Sequence, residues 1–311
     1  MLNRVLPVDI RALAWAPAGR DFSARFSCLH RTYHYYFPAS GLALGRMDRA
    51  ARLFEGTHDF RNLCKMDVAN RVTNFRRTVL RARVEALPEA GPEPSGNRPA
   101  AYRMCRFEVR GLAFLYHQVR CMAAVLLLIG QGLEEPEVID QLLDVDRNPR
   151  KPQYSMAVDY PLVLYNCAYE NLEWVVDPDA QSFTVNQLHS MWTQHAIKTQ
   201  ILYSMLQGMG QAPSEEERGS GTDPLRGQAP SQDEASRLAD RLMEGVRPRR
   251  YKRLLERELC EGLESRIRHY AKRGRIELPA AMRADGQEGG RPKEEEEEED
   301  DAAPTLPHPP R

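Results

Sequence analysis

The chain has 311 residues, of which 42% are hydrophobic, and a formal net charge of −1 at pH 7; that is enough apolar material for a real core in one large domain or two ordinary ones. Its longest apolar run, Ala123 to Ile129, is far short of the roughly 20 residues of a membrane-spanning helix, and its first residues lack the basic-then-apolar order of a secretory signal. Six scattered cysteines, without a CxxC pair or zinc-type histidine spacing, read as reduced thiols in the cytoplasm or nucleus, with no metal and no membrane.

Residues 31 to 37 (RTYHYYF) alternate, with Tyr33, Tyr35 and Phe37 on one face, and predict a strand. Asp48 is placed to cap a short helix over RAARLFE that Gly56 stops, with Thr57 or Asp59 capping a further turn. Two half-buried strands follow. One has Leu80, Ala82, Val84 and Ala86 inward, the other Cys105, Phe107 and Val109, and a long Pro- and Gly-rich hairpin loop joins them. The apolar stretch from about Tyr116 to Ile129 predicts a mostly buried helix stopped by Gly130 and Gly132. A second helix from Pro136 carries the stripe Val138, Ile139, Leu142 and Leu143. A basic loop, RNPRKP at 147 to 152, precedes a strand from Leu162, and Phe183 to Met209 predicts another helix. The fold class is therefore α+β, a mixed and mainly antiparallel sheet flanked by helices.

Four stretches, FSARFSCLHRTYHYYF (22 to 37), FEGTHDFRNLCK (54 to 65), AFLYHQVRCMAAVLLLIG (113 to 130) and DYPLVLYNCAYE (159 to 170), occur in the order in which the TruA-type family of tRNA pseudouridine synthases carries them. The chain resembles that family, nearest to its eukaryotic branch, from residue 2 to 209 and again from about 245 to 279. The resemblance implies an isomerase that turns uridine into pseudouridine in the anticodon arm of tRNA without a cofactor, once the nucleotide has left its stack. Tyr33 matches the aromatic on which the extruded uracil rests, although an aromatic on a strand face is more often plain core. Arg120 matches the helix arginine that pairs with the catalytic aspartate; by pattern alone it could equally snorkel at a helix edge. Leu162 matches a segment lining the base pocket.

The family's catalytic aspartate belongs to a Gly-Arg-Thr-Asp stretch upstream of the first of these segments, and none stands between Met1 and Phe22. Gly19, Arg20 and Asp21 imitate it, but family sequence from well downstream follows at once, so Asp21 is not expected to be catalytic. Met1 reads as an internal start, an alternative isoform or an incomplete reading frame, and two outcomes follow: an enzyme lacking its aspartate here, or an inactive tRNA-binding derivative. Strands lost with that segment would leave open sheet edges, so the isolated chain is expected to associate.

The expected divisions are 1–175, the downstream part of the catalytic domain; 176–209, a helical extension; 210–244, a linker; 245–279, a basic element; and 280–311, a disordered acidic tail containing the run Glu294 to Asp301. Basic residues at Arg247 to Arg253 and Lys272 to Arg275 are candidate phosphate contacts or, equally, a solvated helix face, and a scaffold with no RNA role would need them and the basic loop Arg147 to Lys151 to be incidental. His117 and Cys121, four apart, form a nominal base and thiol pair of the kind that is usually accidental. tRNA is the expected partner, and a homodimer is one expected assembly because the family's bacterial branch resembles symmetric dimers.

Overall fold

A computed structural model describes residues 2–88, 100–209, 238–245, 250–277 and 282. Strand β1 (His30–Pro38) is followed by helix α1 (Leu44–Arg52), β2 (Gly56–Asp59), β3 (Arg76–Ala86), β4 (Met104–Gly111), α2 (Gln118–Gly130), α3 (Val138–Leu143), β5 (Leu162–Ala168), α4 (Pro178–Met209) and α5 (Leu263–Lys272). The strands form one sheet in the order β2-β3-β4-β1-β5. The expected α+β class holds, and each of the four pairings is antiparallel. The hairpin of β3 and β4 is as expected, while most of its loop lies outside the described residues.

The period-2 alternation works because the sheet has one covered face. Tyr35 and Phe37 of β1 and Cys105, Phe107 and Val109 of β4 are buried beneath α1 and α2, which pack on each other. All thirteen residues of α2 are buried, and Leu126, Leu127 and Ile129 each contribute about 1.5–3 kcal/mol by leaving water. Across α3, Val138, Ile139 and Leu142 are buried as the stripe predicts.

Strand β3 departs from its pattern. Val79 pairs with Gly111 and Arg81 with Arg110, so Leu80 is the extra residue of a bulge. Val79 is buried in its place and Leu80 is 45% exposed. A bulge shifts side chains to the opposite face without any mark in local periodicity.

Asp48 does not cap a helix. It lies inside α1, where Met47, Ala50 and Ala51 make the buried stripe. Its carboxylate accepts from the Val84 N–H of β3 at 3.0 Å and from Arg52 at 2.8 Å. Thr57 and Asp59 lie in β2, paired with β3, rather than at a helix start.

Within the stretch expected as a linker, Leu238–Leu242 form a 3-10 helix with Ala239 and Leu242 buried. The following chain clasps the loop before β5. Val158 N–H donates to the Leu242 carbonyl, Glu244 N–H to Met156, Gln153 N–H to Glu258 and Cys260 N–H to Lys151. Glu134, 3% exposed, accepts from the Tyr251 hydroxyl and the Leu254 N–H. Ala239, Leu242 and Leu254 are thus part of the core. Residues 246–249 and most of the acidic tail lie outside the described residues. Among the described residues no helix is long and apolar enough to cross a membrane.

Candidate functional site

Tyr33 is half-buried, opposite Val109 of β4 and Leu164 of β5. Its ring meets Phe114 edge to face, centroids 5.2 Å apart at 83°, an arrangement that fixes an aromatic without covering it. Burial pushes its hydroxyl pKa up, against a smaller opposing effect of Arg31. Two residues on, Tyr35 is opposite Leu162 and its hydroxyl donates to the Val158 carbonyl at 3.1 Å. Leu162 is half-buried and packs against the core.

Arg120 does not snorkel. It is 8% exposed, its Nε donates to the Ala157 carbonyl at 2.8 Å, and its guanidinium pairs with Glu244 from the C-terminal clasp. Tyr35 and Arg120 therefore hold adjacent carbonyls of one strap, residues 157 and 158, and Leu162 follows directly from it. Asp21 lies exposed in a turn. The carboxylate on Arg120 is Glu244, which sequence reasoning missed: the two residues are 124 apart in the chain, and an isolated glutamate in RLMEG carries no local sign of its use. Phe114 was quoted only within a motif; its place between strand end and helix start was the available signal.

The nominal pair of His117 and Cys121 is not a catalytic couple. Cys121 is fully buried and its Sγ takes a hydrogen bond from Lys151 Nζ at 3.3 Å. Lys151 of the basic loop turns inward, donating to the Cys64 carbonyl at 3.2 Å and resting 4.4 Å from the Tyr154 ring centre. Arg147 stays exposed, paired with Asp144. At the other basic cluster, Arg266 and Arg275 lie over the Tyr270 ring, while Lys272 and Arg273 remain exposed.

His117 begins α2 in the left-handed conformation, φ 56°, stacked on Tyr116 at 3.8 Å, with a buried Nδ1 that has no partner among the described residues. Burial first, then the charges of Arg120, Lys65 and Lys151, lower its pKa from 6.5 to about 4. The folded state prefers the neutral ring and the unfolded chain protonates it sooner, so this stability is present above about 6.5 and is lost as pH falls toward about 4. We predict that His117→Asn, which tolerates positive φ, flattens the fall of melting temperature across that window. His34, also lowered by burial, leaves a remainder of the same sign. Equal slopes in variant and wild type would remove His117 as the source.

A family description, tRNA pseudouridine synthase, matches residues 50–170. The chain is 53% identical over 279 residues to the tRNA pseudouridine(38/39) synthase of Homo sapiens, covering 90% of this chain and 58% of that protein. It is 42% identical over 176 residues to the enzyme of the same name from Saccharomyces cerevisiae, covering 56% and 37%. To the tRNA pseudouridine synthase A of the archaeon Methanoculleus marisnigri it is 36% identical over 168 residues, 54% of each chain. The chain spans about 58% of the length of the mammalian relatives it matches. With the ordered motifs and the antiparallel sheet that carries them, these matches make the chain similar to the tRNA pseudouridine synthases over most of its length.

Proposed function

We propose that this chain takes part in converting uridine to pseudouridine in the anticodon arm of tRNA, at the positions 38 and 39 that its mammalian relatives' names specify. In that isomerisation the bond from ribose to the uracil nitrogen breaks, a bond from ribose to a ring carbon forms, and the proton on that carbon is released while the nitrogen gains one. The observation that carries the reading is the buried Arg120, held by Ala157 and an anionic partner, beside the Val158 carbonyl that Tyr35 of the Tyr33 strand holds. A fixed guanidinium orients a carboxylate, and a half-exposed ring accepts an unstacked base. The six cysteines, all unpaired, suit the reducing nucleus and cytoplasm. Exposed apolar side chains along α4, among them Leu188, Trp192, Ile197 and Ile201, support pairing with a second copy.

A second reading, tRNA binding without chemistry, is favoured by Glu244 already occupying the Arg120 guanidinium. Release of tritium from tRNA labelled at uridine C5, by the purified chain, separates the two. Release supports isomerisation, salt-sensitive binding without release leaves the binding reading, and neither sinks both. Tyr33→Ala is expected to weaken tRNA binding about tenfold through the loss of stacking, and Tyr33→Phe to leave it nearly unchanged. Equal effects of both variants would place the role in the hydroxyl rather than the ring.

A further inference from the structure

Beside Tyr33 the protein has a cavity of about 460 Å³ whose lining includes Arg25, Lys65, Asp67, Arg77, Phe114 and Tyr116. Its volume is in the range of small-molecule sites, about 300–1000 Å³. Three cations face one carboxylate, and that carboxylate is engaged: Asp67 accepts from the Asn70 backbone at 3.3 Å and its side chain at 2.8 Å. None of Arg25, Lys65 and Arg77 is in an ion pair among the described residues, and the Arg77 Nε is buried without a hydrogen-bond partner. Uncompensated positive charge around a concave opening favours an anion. Aromatic surface stands next to it. Tyr116 is 50% exposed and stiffened by its stack on His117, and Phe114 is the ring that Tyr33 meets edge on.

A wall of cations beside exposed rings is the chemistry that holds single-stranded nucleic acid, phosphate on the charges and base on the ring. We propose that this cavity seats the nucleotide flanking the target uridine, with Lys65 and Arg77 on its phosphate and Tyr116 under its base. This rests on the tRNA reading above, and it adds a second binding position reached through Phe114 from the first. The cavity acts as a specificity element: it anchors the strand while the neighbouring uridine turns out toward Tyr33.

The test is binding of the full 311-residue chain to an anticodon stem-loop RNA by fluorescence anisotropy over a salt series. Lys65→Gln with Arg77→Gln is expected to weaken binding about tenfold and to make the slope of log K against log salt shallower by about 0.7 for each phosphate that is no longer neutralised. Tyr116→Ala, at an exposed position, should weaken binding about tenfold with the slope unchanged. Arg49→Gln, which removes an exposed cation of α1 outside the cavity, should change affinity by no more than about twofold. Each variant is first shown to melt as the wild type does. Wild-type affinity and slope in both cavity variants, or an equally large effect of Arg49→Gln, overturn the proposal and leave the tRNA reading standing. A wild-type chain that binds no RNA removes that reading and this one with it.

Discussion

Leucine in place of Glu244 is expected to lower stability by about 2–3 kcal/mol, and methionine at Arg120 in the same chain to restore most of it. The asymmetry lies in solvation. The Arg120 side chain is 9% exposed and that of Glu244 43%. A guanidinium cannot shed its charge by titration at any pH a protein survives. Removing the carboxylate leaves a buried cation whose remaining hydrogen bond among the described residues is to the Ala157 carbonyl, whereas removing the arginine leaves a carboxylate that water already reaches. Arg120→Met alone should therefore cost about 1 kcal/mol, largely the hydrogen bond to Ala157. Urea denaturation of wild type, both single variants and the double variant closes the cycle. If the two single costs simply add, the pair is incidental to the clasp.

Gly111→Val is expected to cost about 3 kcal/mol. Gly111 ends β4 opposite Val79, and a Cβ there would sit 2.8 Å from the Thr78 carbonyl oxygen and 2.9 Å from the Phe114 ring. The carbonyl cannot retreat, because it accepts from the Leu112 N–H at 3.1 Å. The ring can, and its retreat would withdraw the support under Tyr33. Gly132→Ala is a useful contrast. Its φ of +73° makes a side chain strained, but nothing lies within 4 Å, so its cost is that of the backbone conformation alone, about 1 kcal/mol. Equal midpoints for the two variants in denaturant would rule out the crowding at Gly111.

Much of the architecture could be read from residues because the relevant forces are periodic. Tyr35 and Phe37 announce β1, and the unbroken apolar run announces α2, since each element needs its own spacing to turn side chains toward one core. Asp48 shows where such reasoning stops. Its residue type and position suit a helix start, yet a tertiary bond to Val84 decides its use. Leu80 shows the same limit in a strand, where one inserted residue reverses the face. Lys151 looks like part of a basic surface until the fold supplies Cys64, Cys121 and Tyr154 around it. Tyr33, Arg120 and Leu162 came from family resemblance rather than from pattern. Local spacing carries no trace of a pairing such as that of Arg120 with Glu244.

The same separation bears on how the chain is born. At synthesis rates of about 5–20 residues per second, the 124 residues between Arg120 and Glu244 take roughly 6–25 s to emerge. Through that interval β1 to β4 and α2 have been made, β5 follows within it, and the counter-charge of the arginine has not yet been made. Closure of this core thus waits on translation of the segment that carries Glu244.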